Sequence, residues 1–340
     1  MIRTSYHLPT ELIPAENLKL WLRPWSEDHS TGNNYINDNF TLQFQAQPGT
    51  VTIEAGSNVI GGTGTNFTIQ DQGKRIQISG QERWIEKVNS PTSATINTVW
   101  INEGPWTTSA ADVAFSWGYL STWKDKSGGN FDFSQDTPNR MPFLLLEKGM
   151  LRPYSPRNVD QAGQSLYNST FDDSYLNGTS YSVFFSCIPT GYSVDNINNS
   201  LQVIFNHRYN YLNLVALGGT TSSLNFKGSW ITNTQQNYHV SAIPVTNVLN
   251  QHIVGCGQVD SIERIVSITD LTGSLKVPFP ENLIGAEPGV SARIFSTHQN
   301  GATYSFGLKG FINELIIVNT ILSPTIIKDV LFYLNMNNKA

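Results

Sequence analysis

Short stretches in which apolar and polar residues alternate run through most of this chain, and that period of two constrains the fold more than any other feature. Leu18, Leu20 and Leu22 alternate with Lys19, Trp21 and Arg23. Thr50-Val51-Thr52-Ile53, Arg75-Ile76-Gln77-Ile78 and Ala94-Thr95-Ile96 follow the same rule, and 181–188, 201–205, 211–217, 251–256, 264–268 and 311–318 read as further strands. Successive side chains of a strand point to opposite faces, so each stretch can bury one side and wet the other. Turn dipeptides separate them: Asn177-Gly178, Gly218-Gly219, Thr272-Gly273 and Asn300-Gly301. One segment breaks the rule. Ser323 as N-cap and Pro324 as first helical residue precede Ile326, Ile327, Val330, Leu331 and Leu334, a helical spacing with one apolar face. The fold class is therefore all-β with one C-terminal helix.

The octet Trp123-Lys124-Asp125-Lys126-Ser127-Gly128-Gly129-Asn130 sits just before Phe131-Asp132-Phe133. It places a large aromatic, a carboxylate and two glycines within seven positions. Glycine reaches positive φ without a steric penalty. Asp125 and Ser127 can bond to their own turn, and Trp123 is large enough to anchor that turn on a core. The octet reads as a tight packed turn. A calcium or ligand loop is the competing reading, with Asp125, Asp132 and Asp172 as the calcium candidates if their loops converge.

Followed by Phe133, Gln135, Arg140 and Pro142, the octet resembles the W-x-D-x-S-G signature of concanavalin-A-like, laminin-G-like jelly-roll domains. Two further segments agree in order. Leu20-Trp21-Leu22 is similar to the opening strand of that family, and Gly310 to Asn319, then Leu322-Ser323 and Tyr333-Leu334, to its closing strand and helix. The resemblance implies a jelly-roll β-sandwich with Trp21, Trp123, Asp125, Ser127, Gly128 and Glu314 as structural motif residues. It implies that Glu314 is a capped or paired polar group at a sheet edge.

The resemblance skips the middle of the chain. There, 41–116 forms short alternating segments, the pattern of a small β-barrel or sandwich. Gly61-Gly62-Thr63-Gly64-Thr65-Asn66-Phe67, followed by Gly73 to Ile78, Trp84, Ile85, Val88 and Ile96, resembles a small β module of bacteriophage tail and baseplate proteins. No strand-then-helix context follows the glycines, so they do not read as a phosphate loop. The expected organisation is a discontinuous jelly roll, 1–40 with 117–340, and an inserted module at 41–116. Loop-closure cost rises only slowly with length, so such an insert is tolerable.

Charged residues make up 14% of the chain, against roughly 25% in typical proteins, so Asn, Ser, Thr and Gln must supply the polar surface. The net charge of −5 and the absence of a concentrated basic cluster argue against nucleic acid as partner. Two cysteines form no disulfide framework, and no apolar run is long enough to insert in a membrane. With no secretion signal at Met1-Ile2-Arg3, the reading is a protein made in a host cytoplasm and carried in a virion.

For chemistry, glycoside hydrolysis needs two facing carboxylates, and no closely spaced acid run of that kind occurs. There is no G-x-S-x-G, and the histidines are scattered without acids at an informative spacing. A sugar-binding face needs rings and amides; Asn206, Tyr209, Asn210, Trp230, Asn233 and Tyr238 are the candidates, with cross-strand packing as the competing role of the aromatics. The expectation is a non-enzymatic bacteriophage virion protein of the tail, fibre, baseplate or head decoration. Its lectin-like domain would contact a host-surface glycan or protein. Its other partners would be virion proteins and further copies of itself. The alternatives are a polysaccharide-degrading hydrolase on the same fold and a stand-alone carbohydrate-binding module.

Overall fold

The computed structural model describes residues 8–24, 39–97, 106, 108–147, 150–156, 164–171, 180–191, 200–206, 214–220, 223–231, 237–246, 249–278, 292–295 and 308–337. The chain forms two compact units. The larger takes Met1–Arg23, Trp123–Gln135 and Ser155–Lys339; the smaller takes Pro24–Thr122 and Asp136–Tyr154. The segment 41–116 lies wholly within the smaller unit.

The larger unit is a jelly-roll sandwich. Its first sheet runs in the order Leu18–Leu22, Gly310–Val318, Tyr181–Pro189, Ile253–Asp260, Ile265–Thr269 and Ser274–Pro278, all antiparallel. The first described strand thus pairs with one nearly 300 positions later, Trp21 lying opposite Ile316. The two central strands are almost wholly buried, so both faces of this sheet are covered. One face carries Trp21, Phe184, Ser186, Ile316 and Glu314. The helix Pro324–Asn337 packs on this sheet against Tyr181–Pro189 and Ile253–Asp260. Ser323 caps that helix as expected, its Oγ accepting from the Ile326 N–H at 3.3 Å.

The second sheet runs Phe133–Ser134, Leu166–Asn168, Ala292–Ile294, Ser200–Asn206, Leu214–Thr220, Ser223–Ile231 and Asn237–Thr246. Leu166, Ile294 and Phe205 stand opposite one another in register and are fully buried, which marks the interior face of this sheet. Phe171 joins them, edge-on to Phe205 at 6.3 Å and to Phe131 at 5.1 Å. Each such buried ring or branched aliphatic contributes about 1.5–3 kcal/mol.

The smaller unit is a closed barrel. Thr50–Ile53 pairs with Val59–Thr63, which pairs with Ser93–Ile96, then Gln81–Ser90, then Arg75–Ile78, then Phe115–Trp123. Ala110–Val113 runs into that last strand and pairs back to Thr50–Ile53, completing the ring. Closure removes the open strand edges. Inside lie Val51, Ile53, Ile60, Phe67, Ile76, Ile78, Ile85, Ala94, Ile96, Trp106, Phe115 and Trp117. Phe67 packs against Phe115 and Trp117. A hairpin, Phe143–Glu147 with Met150–Ser155, docks on the barrel where the Leu146 N–H donates to Gly73 O. Gly73 has φ +82°, and a Cβ there would meet Leu146 O at 2.8 Å, so a larger residue would push the hairpin off.

Candidate functional site

The octet is a hydrogen-bonded staple. Asp125 Oδ1 accepts from the Trp21 and Ser127 backbone N–H groups at 3.0 and 2.8 Å. Its Oδ2 accepts from Ser127 Oγ and the Phe131 N–H at 2.8 and 3.1 Å. Ser127 Oγ also lies 3.1 Å from Lys19 O. Gly128 has φ +90° with open space around it, so its freedom of backbone is what the turn requires. Trp123 is fully buried and donates its indole N–H to Arg23 O at 3.1 Å. The turn thus ties itself to the first strand through one carboxylate and one indole.

That geometry does not suit calcium. The ion takes about six to eight oxygens, whereas both Asp125 oxygens already face four donors. Asp132 Oδ1 accepts from the Asp125 N–H at 2.9 Å, and Asp172 lies outside the described residues. Among the described residues, no three His, Cys, Asp or Glu side chains gather as a metal site would need.

Glu314 corrects the sequence reading of its position. It lies in the middle of the first sheet, not at an edge, and is fully buried. Its Oε1 accepts from Trp21 Nε1 at 2.6 Å and from Tyr333 Oη at 2.9 Å. A strand, an opening segment and the helix therefore meet on one carboxylate oxygen. Arg23 lies over the Trp21 ring, 4.3 Å from its centroid.

Sequence reasoning missed a neighbouring polar group. Ser186 Oγ is 2.6 Å from His252 Nε2 and accepts from Asn313 Nδ2 at 3.2 Å. The bulge between Ser186 and Cys187 in the pairing with Gly310–Val318 is what brings Asn313 there. Sixty-six positions separate the serine and the histidine, so no local spacing could announce them. A serine nucleophile must be reachable by substrate. Ser186 has no exposed surface, which makes this a packed polar contact. Burial pushes the Cys187 and Cys256 thiols well above their ordinary value, so neither offers a thiolate.

The structure divides the sugar-contact candidates. Tyr209, Asn210 and Asn233 lie outside the described residues. Trp230 and Tyr238 are direct cross-strand partners. Their register places them on the side of Gly228 and Val240, which align through Val215 with Phe205. Asn206 is on the opposite side and fully buried. The three are not brought to one face.

No family model matches the chain, and no curated protein does. Several solved structures share part of its strand arrangement. The Ruminococcus gnavus IT-sialidase CBM40 bound to α2,3 sialyllactose has 12% identity and a TM-score of 0.36, over 45% of this chain and 82% of that one. Domain 4 of AbnA, a GH43 extracellular arabinanase from Geobacillus stearothermophilus in complex with arabinotriose, has 16% identity and a TM-score of 0.39, over 61% and 91%. The botulinum neurotoxin serotype G binding domain has 10% identity and a TM-score of 0.40, over 62% and 50%. At these values the likeness is one of strand arrangement and assigns no ligand.

Proposed function

We propose that this chain is a non-enzymatic structural protein of a bacteriophage particle, in its tail, fibre, baseplate or head decoration, whose jelly-roll unit contacts a glycan or protein surface. The observation that carries the non-enzymatic part is the use made of the motif acids. Asp125 is saturated by four donors and Glu314 is buried between Trp21 and Tyr333, so both serve packing. A general acid or nucleophile needs a carboxylate that reaches substrate. The particle part is supported by the resemblance of the 61–99 segment to tail and baseplate modules, and by a closed barrel of the kind that can stand between neighbours without exposing strand edges.

Two measurements test the reading. Mass spectrometry of purified particles should find the chain; its absence there ends the particle assignment. Incubation with polysaccharides should give retention without release of reducing ends. Catalytic accumulation of such ends would replace this reading with the hydrolase.

A further inference from the structure

The first sheet closes one of its edges and leaves the other open. At Leu18–Leu22 the octet takes up the outward backbone groups. The Trp21 N–H donates to Asp125 Oδ1, Trp21 O accepts from the Lys126 N–H at 2.8 Å, and Lys19 O accepts from Ser127 Oγ. At the far end, Ser274–Pro278 pairs with Ile265–Thr269 on one side. On its other side, no backbone group of 274–278 has a hydrogen bond among the described residues. The strand Asn237–Thr246 of the second sheet lies against it, yet Ser274, Leu275, Lys276 and Pro278 are all exposed. Leu275 stands opposite Ile268, which is fully buried, so it carries the interior face of the sheet out to the rim, where it is 40% exposed. Leu271, 47% exposed, projects from the turn before it. An open strand edge is a template for another strand.

We propose that Ser274–Pro278 is the contact surface for a second copy of this chain, its edge pairing antiparallel with the same edge across a two-fold axis. One open edge on this sheet is what a closed two-fold pair needs: the identical edge is its partner, and the stapled edge cannot extend the row further. Registers in which Leu275 keeps to the same face in both copies pair residues of like parity. Centring the axis on Lys276 sets two ammonium groups directly opposite, which is unfavourable. Centring it on Val277 sets Lys276 opposite Pro278, which has no N–H to give. Centring it on Leu275 joins two half-bare leucines at the axis and sets Lys276 opposite Ser274 of the second copy. Asp270 of that copy then lies in the adjoining turn, so each lysine approaches a carboxylate, and each Pro278 comes alongside Thr272 and Leu271. Leu275 at the axis is therefore the register that the edge favours. Five residues a side fall short of a standard interface of about 800 Å² per partner, so the pair is weak alone and gains where copies are held side by side. Such pairing requires neither a particle nor a glycan.

The test is sedimentation velocity of the full chain from about 5 to 500 μM, the range of a small interface. The sedimentation coefficient should rise with concentration toward that of a dimer. Leu275→Lys puts two cations at the axis and should raise the midpoint concentration about tenfold or more. Ile69→Lys makes the same kind of change at an exposed site of the barrel and should leave the midpoint within about twofold. Leu275→Cys should link two copies through a disulfide on mild oxidation, since directly opposed side chains come within its reach. Lys276→Cys, opposite Ser274, should link several-fold less. Cys187 and Cys256 are buried, so neither offers a surface thiol to compete. Thermal melting checks that each variant is folded, and the two cysteine variants carry the test if Leu275→Lys is not. A monomer at every concentration overturns the pairing. An equal loss from Ile69→Lys removes the contact from this edge, and Lys276→Cys linking as well as Leu275→Cys overturns the register. Each of these results leaves the particle and glycan assignments standing, which mass spectrometry of particles and polysaccharide retention decide.

Discussion

The sandwich and the barrel treat buried tryptophans in opposite ways. In the sandwich, Trp21 and Trp123 each give the indole N–H to an acceptor, Glu314 and Arg23 O. In the barrel, Trp84 and Trp106 are as deeply buried, yet neither Nε1 has a hydrogen-bond partner among the described residues. The acceptors of the sandwich lie 293 and 100 positions away in sequence. The charged pairs of the barrel are local: Lys74 with Asp71, and Arg75 with Glu82, each cation also lying over a ring. A closed ladder holds its shape through its own backbone, so it tolerates an unmet indole at about 1–3 kcal/mol. A sandwich assembled from separated segments depends on side-chain ties to hold them in place.

Four predictions press on that contrast. Trp123→Ala should cost the sandwich about 3–5 kcal/mol, through lost volume and a lost tie; calorimetry that shows an unchanged unfolding profile would remove the staple from the account. Trp21→Phe and Trp84→Phe shrink a ring in both units, but only the first breaks a bond to a carboxylate. Its cost should exceed that of Trp84→Phe by about 1.5–3 kcal/mol in denaturant titrations, and equal costs would erase the distinction.

The third prediction concerns alkaline pH. Burial raises the Cys187 and Cys256 thiols above their ordinary value of 9.0. The stability this gives is fully present below the unfolded value and is lost as pH rises toward the folded one. The sandwich should therefore weaken from about pH 9 upward, by at most about 1.4 kcal/mol per pH unit for each thiol. In the barrel, burial raises Tyr119 above 10.0, with a hydrogen bond from Gln47 lowering it and the Asp71 charge raising it. Loss there should begin only near the tyrosine value. Cys256→Ala should flatten the earlier limb in melting curves, and an unaltered limb would exclude the thiol as its cause. The smallest effect belongs to Glu82→Gln, which loosens the partly exposed pair with Arg75 at 2.8 Å. It should shift the barrel by less than about 1 kcal/mol, and a larger shift would mean that local pairs matter there as much as ties do in the sandwich.

Local chemistry was legible in the sequence wherever it depended on neighbours. Asp125, Ser127 and Gly128 announced their turn, Ser323 its helix, and the apolar strands 181–188 and 311–318 their places. What depended on register was hidden. The register Asn206–Leu214–Ser229–His239 puts Asn206 one position out of step with the Trp230–Tyr238 pair, so the two fall on opposite sides. Pro153 and Pro244 interrupt the alternation of strands that form nonetheless. Glu314 looked peripheral because its partners, Trp21 and Tyr333, come from elements that only the assembled sheet brings near.

The bond from the Trp123 indole to Arg23 O has a consequence for how such chains can diversify. It clasps the two points where the chain leaves for Pro24–Thr122 and returns, so the excursion is a ring sealed at its neck. Doubling the length of that ring adds only about 0.6 kcal/mol of closure entropy. The clasp thus fixes both ends of that excursion, and a change in its length leaves Arg23 and Trp123 tied as they are.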